Sequence, residues 1–467
     1  MNYRITHSEG SSRLIIIFAG WGMDDNVFDH IRRPGYDIMV IWDYRNFFID
    51  WNCVSRYSEI CILAWSMGVY AASQTIQAID SKITKKIAVG GTLLPVDDRF
   101  GIPEAIYHGT LQGLNAITLR KFFRRMCATH ADFDHFMNHA PGRELDELKE
   151  ELAAIGDRII LNTPSNIRWD LAIIGNDDRI FPPENQQAAW RKCNVIVKRM
   201  PECGHYIDFQ QIINHEFIDK TMVEQRFKAG TATYNDNAAV QIDVIERIDE
   251  KIRQYGIDRA LMQARNNVLE VGSGSGLLSR KITRYINEAC YTMWDLAAPV
   301  PENLPLGRRY IFVNCDAESE INSVPDESVD HIVSASTIQW FNSPENFLKN
   351  CHRILRKGGY AIVSTFTHGN LHQISDITRH GLPLITAEGW ANMAARYFNI
   401  VDSTAYERDL DFDNPLDALR HLKLTGVNSL GRASEISPRQ LIARLPMMLD
   451  GRYHLTYKPL ILILQKQ

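Results

Sequence analysis

Residues 63–76 read LAWSMGVYAASQTI and carry the main fold signal of the first half of the chain. An apolar run ends just before Ser66, a helix-like stretch follows it, and Gly68 stands two residues after the serine. A serine on a tight turn between a buried strand and a helix is the arrangement of a nucleophile, and small neighbours let the backbone fold back sharply. The usual glycine two residues before the serine is replaced by Ala64, whose methyl group is compatible with that turn. The stretch alone leaves two interpretations, a nucleophilic serine or a serine that begins a helix.

A second group of residues gives this serine its chemical partners. His205 lies in the loop PECGHYIDF, after the last apolar run of the first half, and two acids, Asp177 and Asp178, follow the run IIGN. The order serine, aspartate, histidine is that of α/β-hydrolases, in which the histidine takes the serine proton and the acid orients the imidazole. We predict Ser66, Asp178 and His205 as a catalytic triad, because the distance from Asp178 to the next proline resembles the pattern of that family. Asp177 is the alternative acid.

Two backbone positions are predicted to stabilise the negative charge that such a serine creates. The buried run RLIIIFAG leads into Gly20-Trp21-Gly22, where a hydrolase needs an N–H facing the nucleophile, and Met67 begins the helix after the serine. We expect the N–H groups of Trp21 and Met67 to form the oxyanion hole.

Short apolar runs alternate with helical stretches through the first half and predict a parallel sheet covered on both faces. The predicted strands are RLIIIFAG, YDIMVIWDY, EICILAWS, KKIAVGGTLL, DLAIIGNDD and NVIVKRM. Between Pro95 and about Ser165 the strand pattern disappears, and GTLQGLNAITLRKFFRRMCATH and GRELDELKEELAAIG predict helices. The fold class is therefore α/β, with an N-terminal α/β-hydrolase domain over residues 1–218 and a helical cap over about 95–165.

The alternation restarts after about residue 215 and predicts a second α/β domain over residues 219–467. VEQRFKAGTATYNDNAAVQIDVIERIDEKIRQYG predicts a leading helical arm, and the strands after it are NNVLEVGSG, CYTMWDL, RYIFVNCDA, DHIVSAST, GGYAIVSTF and YKPLILILQ. The first strand runs into a turn that contains Gly272, Gly274 and Gly276 and is preceded by Glu270. This G-x-G-x-G spacing differs from the G-x-G-x-x-G of dinucleotide sites. An anionic residue before the turn suits the cationic methionine end of S-adenosylmethionine better than a pyrophosphate.

The next two strands supply acids in register with this turn. Asp295 ends YTMWD and is predicted to accept the ribose hydroxyls, and Asp316 in NCDAE is predicted to accept the adenine amino group, with the Ala317 N–H nearby. Either acid alone could cap a helix or a turn. Together they predict a C-terminal class I (Rossmann-like) methyltransferase dependent on S-adenosylmethionine.

The first half resembles the small α/β-hydrolases of biotin synthesis that cleave pimeloyl-carrier-protein methyl ester. The resemblance rests on FAGWG, WDYR at residues 42–45, AWSMG and ECGH, and covers roughly the first 215 residues. Alanine in place of the first glycine is itself typical of one branch of these esterases.

The second half looks like malonyl-carrier-protein O-methyltransferase from about Val223 to the C-terminus. The resemblance rests on TYNDNAAVQ, on FVNCDAESEINSVPDESVDHIVSASTIQWF, on LRKGGYAIVSTF and on LKLTGVNSL at residues 422–430. Methyltransferases that act on the exocyclic amines of bases have an Asn/Asp-Pro-Pro-Tyr motif after the fourth strand. This chain lacks that motif, so a nucleic-acid amine is not the expected substrate. The candidates for shaping the acceptor pocket are Gln339, Trp340, Tyr234 and His368, and for each a plain packing or surface role is the alternative.

The two resemblances imply a bifunctional enzyme of biotin synthesis. It would methylate the free carboxylate of malonyl-acyl-carrier protein with S-adenosylmethionine and hydrolyse pimeloyl-acyl-carrier protein methyl ester. The alternative is a carboxylesterase fused to a small-molecule O-methyltransferase of another pathway. The implied partner is acyl carrier protein, and the cap carries a basic cluster, Lys121, Arg124 and Arg125, that is either its docking patch or an ordinary solvated helix face.

Composition narrows the remaining classes. The formal net charge of −5 gives no reason to expect a nucleic-acid or membrane partner. The eight cysteines are scattered without a C-x-x-C pair, so we expect reduced thiols, no metal and a cytoplasmic protein.

Overall fold

The computed structural model of the chain divides into two compact units, Met1–Ile213 and Asn214–Gln467. It describes residues 1–161, 165, 167–230, 233–263, 266–286, 290–298, 301, 310–378, 381–425, 437–447 and 450–467. The domain boundary between residues 218 and 219 stays a prediction. Of the stretch LKLTGVNSL, residues 426–430 lie outside the described residues.

The first unit is built on a largely parallel sheet. Its strands are β1 (Asn2–His7), β2 (Arg13–Phe18), β3 (Asp37–Trp42), β4 (Glu59–Trp65), β5 (Ile83–Val89), β6 (Leu171–Gly175) and β7 (Ile196–Met200). They lie in the order β1-β3-β2-β4-β5-β6-β7, in which β1 is antiparallel to β3 and the other pairs are parallel.

Burial follows the apolar runs of the sequence. Every residue from Leu14 to Phe18 in β2 and from Ile60 to Trp65 in β4 is inaccessible to solvent, as expected for central strands covered on both faces. Strand β1 was not predicted, because its sequence NYRITH is polar and its residues are mostly exposed at the edge of the sheet.

Helices cover this sheet and fill the connection between β5 and β6. They are α1 (Met67–Thr75), α2 (Glu104–Gly113), α3 (Ala116–Met126), α4 (His130–Asn138), α5 (Leu145–Ile160), α6 (Pro183–Lys192) and α7 (Phe209–Glu216). The segment predicted as a cap, 95–165, contains α2 to α5. The single helix predicted from GTLQG to MCATH was wrong: it divides at Asn115, whose side chain accepts the N–H groups of Ile117 and Thr118 and so begins a new helix.

The second unit contains a seven-stranded sheet and a two-stranded one. Its strands are β8 (Asn267–Val271), β9 (Cys290–Asp295), β10 (Tyr310–Asn314), β11 (Val329–Ser334), β12 (Leu355–Phe366), β13 (Asn399–Ala405), β14 (Arg408–Phe412), β15 (Tyr453–Tyr457) and β16 (Pro459–Gln465). The larger sheet has the order β10-β9-β8-β11-β12-β16-β13, and β16 runs antiparallel to both of its neighbours. This mostly parallel sheet is the Rossmann-like sheet predicted for the second half.

The helices of this unit begin in the leading arm. They are α8 (Lys220–Gly230), α9 (Tyr234–Asn237), α10 (Ala239–Gln254), α11 (Ile257–Leu261), α12 (Leu277–Ile282), α13 (Ala317–Glu320), α14 (Pro344–Ile354), α15 (His372–Thr378), α16 (Ala387–Ala394), α17 (Pro415–Leu424) and α18 (Pro438–Arg444). The arm is thus broken into successive helices. In the described part of the chain, no helix combines the length and apolar character that crossing a membrane requires.

Candidate active sites

Ser66 lies on a strained turn between β4 and α1. Its φ of 59° and ψ of −128° form a conformation that residues with a side chain rarely adopt. A methyl group on Gly68 would overlap the carbonyl oxygen of Ala19, and one on Gly91 would overlap the carbonyl oxygen of Ser66. The turn therefore requires two glycines, of which Gly91 was not singled out in the sequence. Ala64 is buried in β4, two residues before the serine.

A continuous chain of hydrogen bonds connects Ser66 to Asp178. His205 Nε2 lies 2.9 Å from Ser66 Oγ, and His205 Nδ1 lies 2.9 Å from Asp178 Oδ2. All three residues are buried, with 6% of Ser66 and 1% of His205 exposed. With Nδ1–H donating to the carboxylate, the Nε2 lone pair faces the serine hydroxyl, which is the geometry of a general base.

The acid of this chain is itself fixed by its surroundings. Asp178 Oδ1 accepts the backbone N–H groups of Ile180 and Phe181 at 2.8 and 2.9 Å, and Oδ2 also accepts the amide of Gln186 at 2.9 Å. The Phe181 ring stacks on His205 with an interplanar angle of 5°. These contacts hold the imidazole plane. Asp177, the alternative acid, is exposed.

The predicted oxyanion donors flank the serine. Met67 is the first residue of α1, so its N–H is one of the helix-initial amides that lack a partner within the helix. On the other side, a side chain on Gly20 would meet Ser66 Cβ at 3.2 Å, which places the loop that contains Trp21 directly against the serine. The Trp21 indole donates to the carbonyl oxygen of Leu148 at 2.9 Å and so ties this loop to α5.

A buried carboxylate behind that loop was missed in the sequence. Glu151 of α5 is inaccessible to solvent, and it accepts the N–H groups of Gly22 at 3.2 Å and Tyr44 at 2.9 Å. Arg143 donates to it at 2.5 Å and lies 3.4 Å from Asp43. Burial raises the pKa of Glu151, while Arg143 and the two amides oppose the rise. A charged residue in the amphipathic pattern of α5 gave no signal that it would lie inside the unit.

The basic cluster of the cap lies on α3. Lys121 and Arg125 are exposed, and Arg124 is partly buried. Arg124 donates to the carbonyl oxygen of Cys127 at 3.0 Å, and Arg125 donates to that of Arg179 at 2.9 Å. The guanidinium groups therefore have backbone partners as well as solvent contact.

A second candidate site lies in the other unit, at the carboxyl ends of β8 to β11. Its cavity is lined by residues of the glycine turn, of the strand ends and of the leading arm: Lys220, Val223, Phe227, Tyr234, Gly272, Gly274, Ser275, Trp294, Asp295, Leu296, Ala297, Ala298, Cys315, Asp316, Ala317, Ala335, Ser336, Thr337, Trp340 and Phe341. A crevice beyond the carboxyl ends of parallel strands is the usual ligand site of such sheets.

The strand-end acids both line this cavity. Asp295 accepts the N–H of Gly274 at 2.7 Å with one oxygen and the N–H groups of Ala297 and Ala298 with the other, so its carboxylate is held at the rim. Gly274 has a φ of 50°, and a methyl group there would meet nothing within 4 Å, so this turn borders open space. The arrangement fits the predicted ribose contact of S-adenosylmethionine.

Asp316 has a partner that the sequence did not predict. Lys220 of the arm lies 3.3 Å from Asp316 and 2.9 Å from Glu318, and its side chain is almost fully buried. Asp316 also caps α13 by accepting the N–H of Glu318. The adjacent Ala317 lines the cavity. Lys220 gave no sequence signal because it lies far from these acids along the chain.

Glu270 and Gly276 are not among the described residues that line the cavity. Glu270 is fully buried beneath the glycine turn, where one oxygen accepts the hydroxyls of Ser279 and Tyr291 at 2.5 and 2.7 Å. Its other oxygen has no hydrogen-bond partner among the described residues. Burial raises the pKa of Glu270 to about 7. The free oxygen fits a cationic ligand group, and the contact with the methionine end stays a prediction.

Two of the four residues predicted to shape the acceptor pocket line the cavity. Tyr234 and Trp340 line the cavity, and Trp340 meets Phe227 edge to face at 5.5 Å. The Gln339 amide donates to the carbonyl oxygen of Ser336 at 2.6 Å within its own turn. His368 is exposed, and neither it nor Gln339 is among the described lining residues.

Comparisons with known proteins match both halves. Residues 1–216 match the family model described as pimeloyl-ACP methyl esterase BioG, and residues 269–363 match a methyltransferase domain. A malonyl-acyl-carrier-protein O-methyltransferase of Bacteroides fragilis is 35% identical over 97% of this chain and 93% of its own length. One from Haemophilus influenzae is 30% identical over 53% of this chain and 94% of its own length. The crystal structure of BioG from Haemophilus influenzae is 34% identical, covers 44% of this chain and 94% of that chain, and gives a TM-score of 0.41.

Proposed function

We propose that the chain is a bifunctional enzyme. It belongs to the malonyl-acyl-carrier-protein O-methyltransferases of biotin synthesis, and it carries a BioG domain before its methyltransferase domain. The second half methylates the free carboxylate of malonyl-acyl-carrier protein. The first half is an α/β-hydrolase with a helical cap that hydrolyses pimeloyl-acyl-carrier protein methyl ester. The observation that carries the proposal is the hydrogen-bonded chain from Ser66 through His205 to Asp178, in a protein whose other unit has a cavity suited to S-adenosylmethionine.

In the esterase reaction, Ser66 Oγ attacks the ester carbonyl carbon while His205 Nε2 takes the hydroxyl proton. The negative charge on the carbonyl oxygen is stabilised by the N–H groups of Met67 and Trp21. His205 then protonates the departing methoxide oxygen, which leaves as methanol, and an acyl-enzyme remains. Water that His205 deprotonates then attacks the acyl carbon, and His205 returns the proton to the departing Ser66 Oγ, which releases the free acid and the free serine. Asp178 stabilises the imidazolium in both steps.

In the methyltransferase reaction, S-adenosylmethionine supplies an electrophilic sulfonium methyl group. Asp295 would hold the ribose hydroxyls of that cosubstrate, and Asp316, which pairs with Lys220, would hold its adenine end together with Ala317. A malonyl carboxylate is already ionised at neutral pH, so the protein needs no base to activate it. Its residues contribute by aligning the acceptor and excluding water, and the aromatic wall of Trp340 and Phe227 suits that role.

The two activities have a common physical reason. Moving a bare carboxylate into an apolar tunnel costs several kcal/mol or more, on the order of the penalty for an unpaired buried charge. A methyl ester removes that charge, so fatty-acid enzymes can elongate the malonyl group. At the pimeloyl stage an esterase must release the carboxylate again.

The same chain must not hydrolyse its own first product. We propose that the cap, residues 95–165, discriminates by acyl length and favours the longer pimeloyl ester. Equal rates of cleavage for malonyl and pimeloyl methyl esters on one carrier would contradict this selection.

The esterase is tested by labelling and by hydrolysis. The full chain is incubated with a fluorophosphonate probe and, separately, with pimeloyl-acyl-carrier protein methyl ester. We expect the parent to be labelled and to release methanol, and the Ser66→Ala variant to do neither. An exposed serine variant of the same unit, Ser58→Ala, is the matched control. An unlabelled parent that binds the carrier would instead indicate an inactive docking domain.

A further inference from the structure

A cluster of imidazoles lies away from both candidate active sites. Asp29 and His30 come directly after the short helix Asp25–Phe28, His135 lies in the last turn of α4, and His139 is the residue that directly follows α4. The scattered cysteines led us to expect no metal, and the H-x-x-x-H pair formed by His135 and His139 was not singled out in the sequence. The fold supplies partners for that pair from a segment about a hundred residues away.

The side chains of this cluster are close enough to share one ion. His139 Nδ1 lies 2.9 Å from Asp29 Oδ1, and His30 Nδ1 lies 3.9 Å from the same oxygen. Asp29, His30 and His139 each offer one ligand atom, and these three atoms all lie within 4.8 Å of one another. The ligands of a tetrahedral zinc ion lie about 3.4 Å apart at bond lengths near 2.1 Å, so modest side-chain rotation closes the site.

The three rings also contact one another. The centroids of His30 and His139 are 4.6 Å apart, those of His30 and His135 are 5.5 Å apart, and those of His135 and His139 are 5.6 Å apart. The three rings are therefore packed together, and an imidazole offers a metal ion the lone pair of a ring nitrogen.

One nitrogen of the cluster lacks a hydrogen bond. His30 Nδ1 is buried and has no hydrogen-bond partner among the described residues. A buried ring nitrogen without a hydrogen-bond partner can offer its lone pair to a metal ion. Two imidazole nitrogens and one carboxylate oxygen form a donor set that favours borderline divalent transition metals. Mg²⁺ and Ca²⁺ instead prefer sites made only of oxygen ligands.

We propose that Asp29, His30 and His139 bind one divalent transition-metal ion of the Zn²⁺ class, with the His135 ring packed beside them. The ion would join α4 of the cap to the segment after the first short helix. His135 Nδ1 also lies 3.1 Å from the hydroxyl of Tyr206, the residue after His205, so the joint lies next to the esterase site without using its triad. The role is structural, and it is independent of the proposed function.

The test uses the full chain, freed of any affinity tag and dialysed against a chelator. Zn²⁺ is titrated in competition with a chromophoric chelator, and Co²⁺ is added separately to read the visible bands of a tetrahedral site. We expect one tight site in the parent. His139→Ala should weaken it by at least about tenfold, the loss that even an outer-shell partner brings. His130→Ala, at an exposed histidine of α4, is the matched control and should bind as the parent does.

A second measurement keeps the proposal open to refutation if His139→Ala folds poorly. Asp29→Ala removes an exposed ligand, and its circular dichroism should match that of the parent. At a Zn²⁺ concentration about a hundred times the dissociation constant, the unfolding temperature of the parent should rise by about 5–10 °C, and that of Asp29→Ala by much less. A parent that binds no Zn²⁺, or ligand variants that bind it as tightly as the parent, would overturn the proposal.

Discussion

Replacing Glu151 by glutamine should destabilise the first unit and slow the esterase. Glu151 uses one carboxylate oxygen for the Gly22 N–H and the Arg143 guanidinium and the other for the Tyr44 N–H. A glutamine has only one acceptor oxygen, and its NH₂ group would face a donor at the other position. At least one buried N–H therefore loses its acceptor, which costs about 1–3 kcal/mol.

The lost charge adds to this cost. Removing one partner of a buried ion pair lowers the free energy of unfolding by about 3–5 kcal/mol. Arg143 would still have Asp43 at 3.4 Å as a partner, so we expect a total loss at the lower end, about 3 kcal/mol. Because Gly22 follows the predicted oxyanion donor Trp21, kcat should also fall by about one to two orders of magnitude, less than the loss of a donor itself.

The assay combines urea unfolding of the full chain with hydrolysis of the carrier-bound methyl ester. Glu150→Gln is the matched control, since Glu150 is on the same helix and 66% of its side chain is exposed where it meets Arg45. That exposed pair should contribute less than about 1 kcal/mol. If Glu151→Gln unfolds at the same urea concentration as Glu150→Gln and keeps the parent kcat, the buried carboxylate does not hold the loop.

Three further predictions address the other groups. Asp178→Asn should favour the wrong imidazole tautomer of His205 and so lower the esterase kcat by about four orders of magnitude. Asp177→Asn, at the exposed neighbour, should leave kcat unchanged. Equal losses of kcat in the two variants would refute the assignment of the acid. Burial raises the pKa of Glu270 from its ordinary value of 4.5 to about 7. The folded state then holds the proton more tightly, so the free energy of unfolding should fall as the pH rises from about 4.5 to about 7. Glu270→Gln should remove that part of the fall, and parallel pH profiles of parent and variant would contradict it. Arg125→Glu should raise the esterase KM for the carrier-bound ester and not for a small methyl ester, and a rise for both would indicate damage to the site.

Much of the fold could be predicted because its central strands are continuous apolar runs. The buried residues of β2 and β4 and the glycine turn after β8 are local signals. Strand β1 could not be found this way, because an exposed edge strand with polar residues lacks both an apolar run and a buried alternation.

The sites show the same division between local and long-range information. Ser66 and its neighbouring glycine stand within one motif, whereas Gly91 comes from the next strand end and is required only once the turn has formed. The burial of Glu151 and the pairing of Lys220 with Asp316 depend on contacts about a hundred residues apart. No spacing in the sequence encodes such pairs, since tertiary packing alone brings them together.

The decisive experiment on the proposed methyltransferase uses the Ser66→Ala chain, so that a methyl ester once formed is not hydrolysed. This protein is incubated with S-adenosylmethionine and malonyl-acyl-carrier protein, and the intact mass of the carrier is read. We expect the carrier to gain the mass of one methyl group, and we expect the parent chain to release methanol from pimeloyl-acyl-carrier protein methyl ester. An unchanged carrier mass, from Ser66→Ala protein shown to bind S-adenosylmethionine, would contradict the proposed methylation of malonyl-acyl-carrier protein.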